Sequence, residues 1–425
     1  MTLVESKPGG AGLSERFAEV RARTCRLAAS LSSEDQQIQA FDYASPTKWH
    51  LAHTTWFFET FVLGREPGHE PPFDPTFSVL FNSYYEGVGP QFARPQRGLL
   101  SRPSLQTVLA YRETVDREMV DRLRSQDEAV RADLVELGLQ HEMQHQELLL
   151  TDILANLSVN PTSPAWRDET VEFSSAPATS KWIPFDAQLI QVGHHGRGFC
   201  FDNETPRHQT YVHPFELRSN PVTNAEVMSF IDDAGYRRPE LWLSDGLAWV
   251  REHGVEAPAY WRRNPGEPAW RTFTLYGEQA VDPHAPATHL SGYEAHAIAT
   301  WLGARLPTEQ EWEWAATTQG GSPQEGRWLE QGPVVPRNSP TTSPFTSLWG
   351  ETWEWTLSAY QPYPRYRPLA GAVGEYNGKF MANQLVLRGG SCATPANHVR
   401  TSYRNFFYPH QRWQFTGLRP ARDAQ

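Results

Sequence analysis

HEMQHQELLLTDIL, residues 141–154, is the stretch whose reading decides the rest of the chain. Apolar residues recur through it at helical spacing, so His141 and His145, four apart, share one helix face with Cβ atoms roughly 6 Å apart. Two imidazoles so placed can converge on one metal ion while the helix backbone fixes their angle. An arbitrary HxxxH pair is more often solvated or packed in a core, so a metal reading needs a third ligand from elsewhere in the chain.

A second cluster, Trp49-His50-Leu51-Ala52-His53, lies in another stretch of helical periodicity. Bundle cores are where metal sites are built from the inward side chains of several helices. His53 stands one turn before Phe57 among apolar neighbours and is the favoured partner, with His50 left open as the alternative. Three neutral imidazoles suit zinc, copper or iron, and the pattern does not choose among them. HEMQH also satisfies HExxH, in which Glu142 would be the general base of a zinc protease. The extended form of that motif fails, because Leu148 and Thr151 stand where its Gly and third His belong. A downstream carboxylate such as Glu169 or Glu172 is then the remaining third ligand for a protease.

Working outward, periodicity predicts four helices near 13–31, 46–63, 104–125 and 127–157. Ser45-Pro46 reads as an N-cap followed by an N1 proline for the second, and Ser101-Arg-Pro-Ser104 caps the third. The loop from Gly64 to Arg102 is long and rich in Pro, Gly and aromatics, the kind that is usually functional inside a compact domain. The helical pattern stops at Asn160-Pro-Thr-Ser-Pro164. We read residues 10–160 as a helical bundle, 161–184 as a linker and 185–425 as a second domain. In that domain, strand-like runs at Leu189 to Val192 and Gln209 to Leu217 and helices at Asn224 to Ala234 and Ser291 to Leu302 stand among many turns, so the fold class is α+β.

Composition agrees. A chain of 425 residues is comfortable for two cores. Its 16 Trp and 15 Tyr beside 34 Pro and 30 Gly are concentrated in the second half and suit a loop-rich domain there. A formal charge of −11, with Lys and Arg scattered, leaves no footprint for nucleic acid or anionic lipid. The three cysteines, Cys25, Cys200 and Cys392, form no CxxC pair, which argues against a disulfide scaffold or thiolate zinc and fits a reducing compartment. The polar start MTLVESKPGGAGLSERF has no apolar core, and no apolar run approaches the roughly 18 residues that a spanning helix needs. A cytoplasmic protein without membrane or nucleic-acid partners is the expectation.

SPTKWHLAHTTWFFETFVL (45–63), FNSYYEGVGPQFARPQRGLLSRP (81–103) and HEMQHQELLLTDIL (141–154) closely resemble the ergothioneine-biosynthesis sulfoxide synthases, the EgtB family. FDNETPRHQTYVHPFEL (201–217), NPVTNAEVMSFI (220–231), ARLPTEQEWEWAA (304–316), LWGETWEWTLSAY (348–360), VLRGGSCATPANHVRTSYRNFF (386–407) and FTGLRPA (415–421) resemble that family's second domain. The resemblance implies a DinB-like four-helix bundle followed by an irregular α+β domain of the formylglycine-generating-enzyme, or sulfatase-modifying-factor, type with a C-type-lectin-like fold.

It further implies iron(II) held by His53, His141 and His145, with the other positions open to substrates. The reaction implied couples hercynine (Nα-trimethylhistidine) to cysteine or γ-glutamylcysteine with O2, giving a sulfoxide at imidazole C2; the SYYEG loop looks more like members that take cysteine. Three neutral ligands leave the ion its full charge, which favours a substrate thiolate. Tyr84 and Tyr85 resemble an active-site tyrosine pair that gives a proton, or a proton with an electron, to activated oxygen. Arg94 and Arg97 resemble arginines that bind the sulfur substrate's carboxylate. Gln144 resembles a glutamine that hydrogen-bonds the betaine. Asn405, Phe406 and Phe407 resemble pocket-closing residues, aromatic faces being the natural recognition for a trimethylammonium.

Two departures stand out. Cys392 in RGGSCATP is alone where formylglycine-generating enzymes carry a copper-binding pair, so their oxidation is not expected. Gly350-Glu-Thr-Trp-Glu-Trp355 replaces the usual GNVWEW, so no structural calcium is expected. The rival readings are a selenoneine synthase joining a selenosugar to hercynine and a non-catalytic metal-binding protein of the DinB type. An ovothiol-type synthase usually resembles a fusion with a methyltransferase, for which this chain is too short.

Overall fold

The computed structural model describes residues 10–64, 72–125, 131–171, 179–263, 266–267, 269–338 and 343–424. They fall into two compact units. The first comprises the described part of Met1–Arg167 with two short later pieces, Gly196–Phe199 and Pro368–Asn377. The second comprises Asp168–His195, Cys200–Arg367 and Gly378–Gln425.

In the first unit, α1 (Gly10–Ala28), α2 (Thr47–Phe57), the one-turn α3 (Phe77–Leu80), α4 (Leu105–Arg124) and α5 (Ala132–Ser158) follow in order. α2 packs against α4 and α5, and α1 packs against the same two helices. All eleven residues of α2 are buried, so it is the central rod and its polar groups must be satisfied from within. The four helices lie close to where periodicity puts them; residues 127–130 of the expected fourth are outside the described residues. α4 opens as read, with Ser104 Oγ accepting from Thr107 N at 3.1 Å.

Two local features of α2 differ from the sequence reading. Pro46, not Ser45, is the N-cap. Ser45 is taken up by tertiary contacts instead: its N–H donates to Asp152 at 2.8 Å and its hydroxyl accepts from Arg97 at 2.9 Å. At the other end the helix widens into a π turn over Phe58–Val62, closed by Leu63 N donating to Phe58 O at 2.9 Å. Such bulges shift the side chains beyond them around the helix and recur at functional sites.

α2 and α5 approach closely because Gly138 has no side chain: a Cβ there would lie 2.5 Å from Phe58 and 3.1 Å from Phe57. This glycine sits one turn before His141, so it sets the helix separation where the two histidine clusters meet. Behind that contact a buried charge network ties α5 to α1 and α4. Glu142 accepts from Arg21 at 2.9 Å, from Thr24 at 2.6 Å and from Arg112, while Arg21 also donates to Asp116 at 2.6 Å.

The second unit is built of short strands. β1 (Trp182–Phe185), β4 (Phe215–Arg218) and β12 (Ala421–Asp423) form one antiparallel sheet in the order β1-β4-β12. β2 (Gln188–Val192) pairs antiparallel with β3 (His208–Val212). The expected run from Gln209 to Leu217 is therefore two strands, broken where Pro214 cannot donate to a ladder. α6 (Asn224–Asp232) and α7 (Ser244–His253) precede a three-stranded sheet of β5 (Trp261–Arg262), β6 (Arg271–Thr274) and β7 (Gly277–Ala280). α8 (Gly292–Trp301) and α9 (Glu309–Gln319) lead to a four-stranded sheet of β8 (Trp353–Ala359), β9 (Leu385–Arg388), β10 (Asn405–Phe407) and β11 (Thr416–Gly417) in the order β10-β9-β8-β11.

Reciprocal capping boxes start α6, α8 and α9 from Thr223/Glu226, Ser291/Glu294 and Thr308/Glu311. The core is aromatic and ionic together. Trp312, Trp353 and Trp355 are fully buried, and the Trp312 indole donates to Glu354 at 2.6 Å. Arg388 bridges Glu309 at 2.9 Å and Glu313 at 2.8 Å, and Arg419 holds Glu354 at 2.8 Å. Glu351 of the departing GETWEW string is also engaged, accepting from Arg327 at 2.7 Å and from Arg337 N at 2.8 Å. Cys25, Cys200 and Cys392 form no disulfide with one another. Among the described residues, no helix is long and apolar enough to cross a membrane.

Candidate metal centre

Helix spacing places His141 and His145 on one face of α5, and α2 brings His53 against them. One ring nitrogen from each lies within 4.8 Å of the others, and among the described residues no other trio of His, Cys, Asp or Glu does this. All three are buried, at 0%, 1% and 8% exposure for His53, His141 and His145, so any ion they share is shielded from bulk water. Periodicity favours His53 weakly over His50 and the resemblance chooses it; the structure turns both inward but gives them different neighbours.

His53 Nδ1 lies 2.6 Å from the Phe81 carbonyl, which can only accept, so this nitrogen carries the proton and Nε2 presents a lone pair. That Nε2 sits 3.2 Å from Nε2 of His141, near enough for one ion to serve both at metal–nitrogen lengths of about 2 Å. Nδ1 of His141 is buried without a hydrogen-bond partner among the described residues. His145 turns its Nδ1 to Nδ1 of His50 at 2.9 Å, and His50 Nε2 meets Asp152 at 3.0 Å. Burial, reinforced by the neighbouring rings, lowers the pKa of His53 and His145 well below the usual imidazole range. His141 is brought down to about 3, mainly by burial and partly offset by Glu142. All three rings are therefore neutral, the form in which imidazole binds metals. The donor set fits a divalent transition-metal ion.

Glu142 faces the opposite way. It is fully buried in the Arg21–Arg112–Thr24 network, and although burial opposes its charge, the two guanidiniums outweigh that and bring its pKa down to about 2. A carboxylate locked in two ion pairs cannot serve as a general base beside the histidines. Glu169 is not grouped with them, and Glu172 lies outside the described residues.

Around the trio the first unit assembles further side chains. The Trp49 indole stacks on the His53 ring at 4.5 Å and 10°. The Arg97 guanidinium also lies over the Trp49 ring, 3.4 Å from its centroid and 2% exposed. Burial and the nearby Arg94 weigh against the charge of Arg97, Asp152 supports it, and the guanidinium donates to Ser45 Oγ at 2.9 Å. Arg94 itself is exposed.

Tyr84 and Tyr85 stack at 4.6 Å; Tyr85 is fully buried, and Tyr84 is half-buried. Burial first, then the neighbouring phenols and Glu375, push the Tyr85 pKa well above the usual phenol value, so it is held protonated. The sequence reading missed Tyr376. Its ring lies 5.6 Å from that of His141 and 6.3 Å from that of Tyr84, and its hydroxyl donates to Gln144 Oε1. Glu375 secures this segment by accepting from Gly87 N at 2.7 Å and Glu86 N at 3.0 Å, next to the tyrosine pair. No local pattern marks Tyr376, which arrives from residues 368–377, far along the chain.

Asn405, Phe406 and Phe407 form β10 of the second unit and are half-buried. Phe406 stacks on Tyr360 at 4.0 Å and 8°, and Phe407 lies 6.0 Å from Trp413.

Comparison with known proteins places this architecture. Residues 16–149 match the DinB superfamily, and residues 184–343 and 332–424 match the sulfatase-modifying factor enzyme 1-like domain. The hercynine oxygenase of Mycolicibacterium thermoresistibile is 30% identical, over 98% of this chain and 96% of its own. That of Mycobacterium tuberculosis is 29% identical, over 96% of this chain and 97% of its own. The formylglycine-generating enzyme of Streptomyces coelicolor is 28% identical but spans 54% of this chain, against 84% of its own. With the helical unit, the second domain and full-length similarity in agreement, this chain belongs to the hercynine oxygenase, or EgtB-like sulfoxide synthase, family.

Proposed function

We propose that the chain couples hercynine to a thiol, cysteine foremost, with dioxygen, and that it does so with iron(II) held by His53, His141 and His145. The observation that carries this reading is the buried, neutral trio with ring nitrogens within 4.8 Å, flanked by phenols and the buried Arg97 guanidinium. In the reaction the imidazole C2–H and the S–H bonds break and the C–S and S–O bonds form. The second oxygen atom leaves as water with both hydrogens, so no further reductant is consumed. Iron(II), when bound, supplies a common anchoring point for the reactants and the electrons that activate oxygen.

The chain's own residues do the rest. Arg97, held against Trp49 and by Ser45, meets the carboxylate of the sulfur substrate, with Arg94 assisting from the exposed side. Gln144, oriented by the Tyr376 hydroxyl, hydrogen-bonds the betaine. Tyr84, Tyr85 and Tyr376 hold phenolic protons close to the histidine rings, where one can be given to reduced oxygen as the C–S bond forms.

The test is anaerobic incubation of the iron(II)-loaded full chain with hercynine and cysteine, followed by air. One O2 consumed per sulfoxide formed supports the reading. Oxygen uptake and coupling with γ-glutamylcysteine alone would move the thiol specificity. Coupling seen only with a selenosugar, or with none of these, would overturn it.

A further inference from the structure

His50 shares helix α2 with His53, one turn earlier, yet it is not one of the three convergent rings. It is 2% exposed and spends both nitrogens on α5: Nδ1 on His145 Nδ1 at 2.9 Å, and Nε2 on Asp152 Oδ2 at 3.0 Å. His145 and Asp152 are seven residues apart on α5, two turns along one face, so His50 spans from one to the other.

The direction of these hydrogen bonds can be worked out from their far end. Asp152 Oδ2 already accepts the Ser45 backbone N–H at 2.8 Å, so it acts as an acceptor toward His50 as well. His50 Nε2 therefore carries a proton. Where Nε2 holds the one ring proton of His50, its Nδ1 is a bare acceptor, and the proton between the two Nδ1 atoms belongs to His145. The reverse direction would set the His50 Nε2 lone pair against the carboxylate and move the His145 proton onto Nε2, the nitrogen a metal must use.

We propose that Asp152 and His50 are positioning residues: a relay, Asp152 to His50 to His145, that locks His145 in its Nδ1–H tautomer and aims its Nε2 lone pair at the metal. The proposal rests on the ligand assignment made above and extends it to this chain's own support of one ligand. Carboxylate or carbonyl partners behind a metal-bound imidazole fix its tautomer and orientation and raise its basicity. Here the three ligands are supported differently: His53 by the Phe81 carbonyl, His145 by a histidine backed by a carboxylate, and His141 by no hydrogen bond at Nδ1 among the described residues. Because the relay also joins α2 to α5, it pins the register on which the His53 to His141 approach depends.

The experiment uses the full chain labelled with 15N-histidine and loaded with zinc, a diamagnetic probe that takes the same ligands. Long-range proton–nitrogen correlation spectra should show His145 protonated at Nδ1 and His50 protonated at Nε2 only. Zinc affinity, from chelator competition, should fall about 10–100-fold in His50→Phe. It should fall less in Asp152→Asn, which keeps an acceptor but loses the charge. His145 protonated at Nε2, His50 protonated at both nitrogens, or wild-type zinc affinity in both variants would each overturn the relay. Should His50→Phe not fold, the wild-type tautomers and Asp152→Asn still decide. The two levels separate cleanly: zinc that is lost in His141→Ala but bound with wild-type affinity in both His50→Phe and Asp152→Asn removes the relay alone, whereas a wild-type chain that takes no zinc removes the centre with it.

Discussion

The hydroxyl of Tyr376 donates to the side-chain oxygen of Gln144, a residue 232 positions earlier in the chain. Gln144 lies between His141 and His145, so this one bond sets a phenol beside the convergent histidines and orients the amide proposed to hold the betaine.

Tyr376→Phe removes that bond and one phenolic proton while keeping the ring against His141. General acid groups contribute about 10²–10⁴-fold, so the coupling rate should fall by roughly 10²-fold with metal content unchanged. Tyr84→Phe combined with Tyr85→Phe should divert oxygen toward cysteine sulfinic acid. Product ratios by mass spectrometry check both, and an unchanged ratio in the double variant would remove those two phenols from the chemistry.

His141→Ala leaves two imidazoles, one on each helix. Metal per chain, measured after iron loading and desalting, should drop from about one to near zero, and turnover should vanish with it. The fold should persist, because the ion pairs of Glu142 do not involve the deleted ring. Full retention of metal would refute the ligand set.

Glu142→Ala removes the ion-pair partner of Arg112 and leaves Arg21 with Asp116 alone, both arginines being 2% exposed in the bundle core. Removing one partner of a buried ion pair costs about 3–5 kcal/mol. Chemical denaturation should show a loss of that order, whereas Glu142→Gln, which keeps the hydrogen-bond acceptor, should lose less. A protease-type glutamate would show the opposite pattern, with activity lost and stability kept.

In the second unit, burial raises the pKa of Glu204, but Arg400 at 2.5 Å and Ser402 at 2.6 Å outweigh it and leave it below the ordinary 4.5. A carboxyl lowered on folding stabilises the native state above its unfolded pKa, and that stability is lost as the pH falls through the folded value. Stability should therefore decline below about pH 4.5, and Glu204→Gln should flatten that decline while lowering stability at neutral pH. Denaturation midpoints between pH 3 and 7 test the sign; a variant with the wild-type slope would contradict it.

Much of this architecture is local and so is legible in the chain itself. Helical periodicity, the Ser104 cap and the Thr-x-x-Glu and Ser-x-x-Glu boxes act within a few residues, and the i, i+4 spacing alone puts His141 and His145 on one face. What the sequence could not decide depends on which distant surfaces meet. Periodicity favours His53 over His50 only weakly, because both turn inward on a helix buried all round, and the placement of α5 sets one against His141 and the other against Asp152. The expected cap Ser45 was drawn away by Arg97 and Asp152, and Tyr376 had no motif to announce it. Spacing along a helix fixes direction within an element, while hydrogen-bond partners and buried charges are assigned only when separate elements pack and each polar group must find a mate.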